Sequence, residues 1–153
     1  MNDLDRLANT VDELSQYIRT LSAPDLADQA WGPKEVLAHL VYHHELYVKL
    51  IEASVARIAI DPPKGRFREL NARAVAANRG LSHLALVARL RKANRRLAAL
   101  YEACDPNAIV IEIKSGAKPR TLAQLVPEVE AHIRHHLFKL RRGQSAVRLG
   151  REP

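Results

Sequence analysis

The stretch WGPKEVLAHLVYHHE, residues 31 to 45, sets a Gly-Pro start against a long apolar run that carries histidines. Pro33 suits the first turn of a helix, where its missing N–H leaves no bond unmade. Downstream, Leu37, Leu40, Val41, His44, Val48, Ile51 and Val55 recur at the spacing of one buried helical stripe. Val36, His39, His43 and Leu46 fall on the adjacent flank. The pattern predicts a helix from residue 33 to about 59, ended by Asp61, Pro62, Pro63 and Gly65.

Three more long helices follow from the same period. Residues 3 to 21 place Leu4, Leu7, Val11, Leu14, Ile18 and Leu21 on one stripe. Residues 82 to 104 repeat Leu84, Val87, Leu90, Leu97, Tyr101 and Cys104, with other faces made basic by Arg89, Arg91, Lys92, Arg95 and Arg96. A last helix opens at Thr121, which forms a capping-box pattern with Gln124, bends or restarts near Pro127, and continues to about Arg142. The link between the second and third long helices is too long for a tight antiparallel turn and holds a short helix within residues 67 to 80, which predicts a crossover. The segment NAIVIEIKSGAKP, residues 107 to 119, reads as an extended connection or a small hairpin arm. The expectation is an all-α, single-domain four-helix bundle over residues 1 to 153, with residues 143 to 153 as a flexible tail.

With 153 residues and 47% apolar side chains, the chain can build one core without staples. A single cysteine, Cys104, rules out a disulfide framework and fits a cytoplasmic setting. It ends a helix, where the dipole does not favour a thiolate. No basic leader precedes an apolar run, and no stretch is long and uncharged enough to span a bilayer, so membrane association is not expected. The net charge of +7 admits an anionic partner, but aromatic residues make up only 5% and no basic-aromatic platform is present. Nucleic acid is not the expected partner; a non-enzymatic basic helical binding protein is the competing class, and a small molecule the preferred ligand.

Six of the seven histidines fall in two groups: His39, His43 and His44, and His132, His135 and His136 within EAHIRHHLFKLRR, residues 130 to 142. A four-residue step stacks His132 and His136 on one helical face, on an arc shared with Leu122, Leu125, Val129 and Leu140; His135 falls off it. Three neutral imidazoles with one open position suit a divalent ion, zinc or nickel first. The third ligand has to come from helix two, and periodicity alone does not choose among His39, His43 and His44. The opposing reading makes His44 a satisfied core histidine and the others a solvated flank.

WGPKEVLAHLVYHHE resembles the tryptophan-loop-helix segment of the DinB/YfiT-like four-helix-bundle superfamily, and EAHIRHH resembles that superfamily's final-helix His-xxx-His motif. Residues 67 to 100, with Phe67, Leu70 and Asn71 before a leucine-containing helix, look closest to its ClbS/DfsB branch. The resemblance implies an up-down-down-up bundle, a homodimer, and a metal triad of His39, His132 and His136. It also implies thiol transfer, with a low-molecular-weight thiol such as mycothiol or bacillithiol as cosubstrate, or hydrolysis of an electrophilic metabolite. The ClbS/DfsB branch implies instead a metal-independent detoxifying hydrolase. Candidate catalytic residues are Glu35, one turn before His39, and His43 and His44 beside it; Trp31 is read as a packing anchor or pocket wall.

Overall fold

The computed structural model describes residues 1–27 and 29–148, with side chains up to residue 143. The elements are α1 (Asp3–Arg19), α2 (Pro33–Val55), α3 (Phe67–Asn78), α4 (His83–Ala103), β1 (Val110–Ile111), β2 (Arg120–Thr121) and α5 (Leu122–Arg148). Four long helices close a ring in which α1 and α2 each pack against both α4 and α5. Cross-helix partners fix their directions. Glu45 pairs with Arg89 and Glu52 with Arg96, so α2 and α4 run parallel. Thr10 bonds Glu130 and Tyr17 bonds the Leu140 carbonyl, so α1 and α5 also run parallel. His39 meets His136 while Tyr47 feels Glu128, which makes α2 and α5 antiparallel. The long helices therefore run up, down, down, up.

The fold is more than a plain four-helix bundle: the short helix expected in the crossover forms as α3, and the segment read as an extended connection or hairpin arm carries a two-stranded ribbon. α3 occupies the crossover and docks on α2, where Asn78 Nδ2 donates to the Ala38 carbonyl at 3.0 Å. β1 and β2 pair antiparallel, Val110 opposite Thr121 and Ile111 opposite Arg120. The ribbon's tip is tied back where Ser115 N–H donates to the Pro63 carbonyl at 2.8 Å.

Helix ends follow local chemistry. Asn2 caps α1 by accepting from Asp5 N–H at 2.8 Å. α2 stops at Val55 rather than near 59, because Arg57 takes a left-handed φ of 57° and Ile58 N–H donates to the Ala53 carbonyl, a Schellman closure. Val55 is consequently 42% exposed and leaves the predicted inward stripe. At α5 the capping box is reciprocal: Thr121 N–H donates to Gln124 Oε1 at 3.0 Å, and Gln124 N–H donates to Thr121 Oγ1 at 3.1 Å. That helix runs on to Arg148, past the predicted end at Arg142, since the added stretch contains no proline and several good helix formers. Residues 149–153 of the predicted tail lie outside the described residues.

Leu37, Ile51, Leu90, Leu97, Ile133 and Leu137 form the centre of the core. Among the described residues no helix is long and apolar enough to cross a membrane. One buried polar pair interrupts the apolar seam between α2 and α4: His44 Nε2–H donates to Asn94 Oδ1 at 3.1 Å. Burial, only partly offset by that bond, holds His44 down at a pKa of about 4.

The folded His44 ring stays neutral where the unfolded one, with an ordinary value near 6.5, has already taken a proton. Its contribution to stability is therefore complete above about 6.5 and is lost as pH falls toward 4. Replacing His44 with Gln is expected to remove about one proton from the pH slope of unfolding between those values. Urea denaturation at a series of pH values checks this; an unchanged slope would contradict the buried neutral ring.

Candidate metal centre

Facing stripes on two antiparallel helices build the site. Along α2, four-residue steps carry His39, His43 and Tyr47; along α5 they carry Glu128, His132 and His136 in the opposite direction. A cavity of about 320 Å³ lies between them, walled by Leu70 and Asn71 from α3, Leu125 and Val129 from α5, and Ile113 from the ribbon. Phe67 and Trp31 border it, and the Lys114 ammonium sits 5.2 Å over the Phe67 ring. This contact and the Ser115–Pro63 bond hold the ribbon tip against the start of α3.

At one end, His39, His132 and His136 each present a ring nitrogen, and the three atoms lie within 4.8 Å of one another. His39 is only 3% exposed, and neither of its ring nitrogens has a hydrogen-bond partner among the described residues. A buried polar atom left in that state costs free energy unless a ligand satisfies it. Burial first, then His43, His136 and His132, push the His39 pKa down to about 3. Burial and then His132, His135 and Lys139 push His136 down to about 4, and burial and His135 lower His132. All three are therefore neutral at pH 7, the form that coordinates a metal. The Nε2 atoms of His132 and His136 stand 3.0 Å apart, close enough for both lone pairs to face one cation. Donor type, protonation and spacing thus fit a zinc-like ion.

The histidine pair, whose apolar arc predicts that it turns at least partly toward the core, borders the cavity at the edge of the packed core. His132 is exposed and His136 half-buried, while Ile133, Leu137 and Leu140 make the buried face. His135 is exposed, as its position off the arc required.

Trp31 covers this end. Its ring stacks on His136 at 6.2 Å with 15° between planes and meets His39 edge-on at 5.9 Å, yet it is 55% exposed. The backbone holds it at φ 58°, a conformation that bulky residues rarely adopt. Glu35 braces it: Trp31 N–H donates to Glu35 Oε1 at 3.3 Å.

The three sequence-predicted catalytic candidates go to three places. Glu35 borders a separate indentation with Asn78 and Arg79 and does not line the histidine cavity. His44 lies in the α2–α4 seam with Asn94, away from the cavity. His43 does line it, 4.7 Å from the His39 ring, and its Nε2–H donates to Asn71 Oδ1 at 3.1 Å. That bond leaves His43 Nδ1 with the lone pair, and burial lowers the ring's pKa. Tyr42 meets His43 edge-on but does not border the cavity. Cys104 is set apart, its thiol raised by burial and Asp105.

Sequence reasoning missed Tyr47 and Glu128, although one more four-residue step from His43 and one fewer from His132 reaches them. It also assigned Asn71 no chemistry. Nothing in the local pattern marks Asn71 or Ile113, because their places depend on how α3 and the ribbon dock.

The sequence model of the mycothiol maleylpyruvate isomerase N-terminal domain matches residues 3–134. The chain belongs to that family. The match places this DinB/YfiT-like chain in the superfamily and does not divide it among branches such as ClbS/DfsB. It takes in His39 and His132 and stops short of His136. No curated protein and no solved structure gives a match.

Replacing Glu35 with Ala in this DinB-like protein is expected to lower stability by about 1 kcal/mol, the worth of a lost helix-start bond. It should shift the emission of Trp31, the sole tryptophan, and leave metal content unchanged. Chemical denaturation with fluorescence, beside metal analysis, checks both; metal loss in this variant would place Glu35 in the site after all.

Proposed function

We propose that this protein is a metal-dependent enzyme acting on an electrophilic small molecule, by thiol transfer or hydrolysis, with His39, His132 and His136 holding one divalent ion. The observation that carries the reading is His39, buried with both ring nitrogens unpartnered among the described residues and facing the exposed His132 and half-buried His136. A zinc or nickel ion held by these three residues would supply Lewis acidity, lowering the pKa of a water or a thiol toward neutrality. His43 serves as proton acceptor through Nδ1, since Asn71 occupies its other nitrogen. Leu70, Leu125 and Val129 give the cavity an apolar wall for the body of a substrate. Glu35 acts at one remove, by positioning Trp31 over His136. The same reading sets the protein in the cytoplasm with a low-molecular-weight thiol as cosubstrate.

A second reading draws on Phe67, Leu70 and Asn71, the segment resembling ClbS/DfsB proteins, which borders the same cavity. In it, His43 takes a proton from water directly and turnover survives chelation. The basic-module alternative has less support: Arg89, Arg91 and Arg96 of α4 are engaged by Glu45, Asp12 and Glu52.

Trp31 gives the metal reading a direct reporter. Cobalt or nickel titrated into chelator-treated protein is expected to quench its emission, saturating at one equivalent in wild type and failing in His136→Ala. Thiol addition to an activated electrophile should be lost on metal removal and return on reloading. Turnover indifferent to chelation but lost in His43→Ala and Asn71→Ala would favour the metal-free hydrolase.

A further inference from the structure

Three rungs cross the cavity, and the proposed function uses only two. His39 meets His136 ring to ring at 5.4 Å, His43 feels His132, and Tyr47 feels Glu128. The third rung is chemically unlike the others. Glu128 is the one acidic residue among the described residues that line the cavity, and no lysine or arginine joins it in that lining. A carboxylate accepts hydrogen bonds and donates none, so it welcomes an ammonium and repels a second carboxylate. Tyr47 adds a hydroxyl that keeps its proton, its pKa raised to about 12 by burial and then by Glu128. Arg120 of β2 pairs with Glu128, Nη2 to Oε1 at 3.0 Å, with both side chains partly open to solvent, which makes it a partner that a ligand can displace. Along α5, Glu128 sits one turn from His132 and two from His136, about 6 and 12 Å by helical rise.

We infer that Glu128 and Tyr47 form a second binding end of the cavity, which selects a small molecule carrying a protonated amine at the end opposite its metal-ligating group. Resting on the metal reading above, this gives the ligand a polarity: a soft or anionic head toward the histidines, an apolar body along Leu125 and Val129, and a cation at the third rung.

Three matched probes test it on the cobalt-loaded full chain: an ω-aminobutanethiol, its ω-hydroxyl analogue and its ω-carboxylate analogue. Calorimetry reads the dissociation constants, and the cobalt–thiolate absorption band reads contact with the ion. The amine is expected to bind about tenfold tighter than the carboxylate, with the hydroxyl between them. Glu128→Gln should level that order. Arg120→Gln should widen it, because the carboxylate then has no competing partner; a merely structural Arg120–Glu128 pair would move both variants the same way. Tyr47→Phe should weaken the hydroxyl and amine probes. Equal binding of the three probes, a carboxylate preference, or no binding by any of them overturns the inference. Missing absorption with the amine order intact would overturn the metal reading and leave the third rung standing.

Discussion

A buried imidazole with no hydrogen-bond partner among the described residues is the constraint around which this fold is arranged. His39 projects from the second turn of α2 into an environment where both ring nitrogens lack hydrogen bonds among the described residues. Ordinary packing would place an aliphatic side chain there. The neighbours do not relieve the cost: His43, His132, His136 and Trp31 surround the ring, and burial with three nearby imidazoles keeps it neutral. An uncharged nitrogen set with converging lone pairs is a poor core and a good ligand shell.

Polar bracing away from the cavity explains how the helices hold that register. Arg89 links Glu45 of α2 to Asn78 of α3, and Asn78 in turn reaches the Ala38 carbonyl, one residue before His39. On the other side, buried Glu130 accepts from Thr10 of α1 at 3.1 Å and pairs with Arg134, which pins α5 two residues before His132. Each bracket lies next to a histidine in sequence but faces away from the cavity. Side chains that look like surface charge in the sequence therefore set the spacing of the candidate ligands.

Much of this was legible from local pattern, and the gaps have physical causes. Apolar period located the four long helices, Pro33 marked the start of α2, and the Thr121–Gln124 capping box formed as read. Helix ends were less accessible, because Arg57 closes α2 through a left-handed turn that its side-chain type does not announce. Periodicity could not separate His39 from His44: both lie on buried arcs, and only the docking of α4 gives His44 its Asn94 partner while leaving His39 without one. The cavity's third side, Asn71 and Ile113, belongs to segments whose own patterns are weak and whose positions come from tertiary contacts.

Metal stoichiometry tests the central claim most directly. Untagged protein purified without a nickel column and analysed by inductively coupled plasma mass spectrometry is predicted to carry about one divalent ion per chain, the number that one three-histidine site holds. His39→Ala and His132→Ala should each abolish it, while His44→Gln should retain it. A wild-type protein that stays metal-free after incubation with zinc, nickel, iron and manganese would contradict the account. Equal metal content in wild type and His39→Ala would contradict it as well.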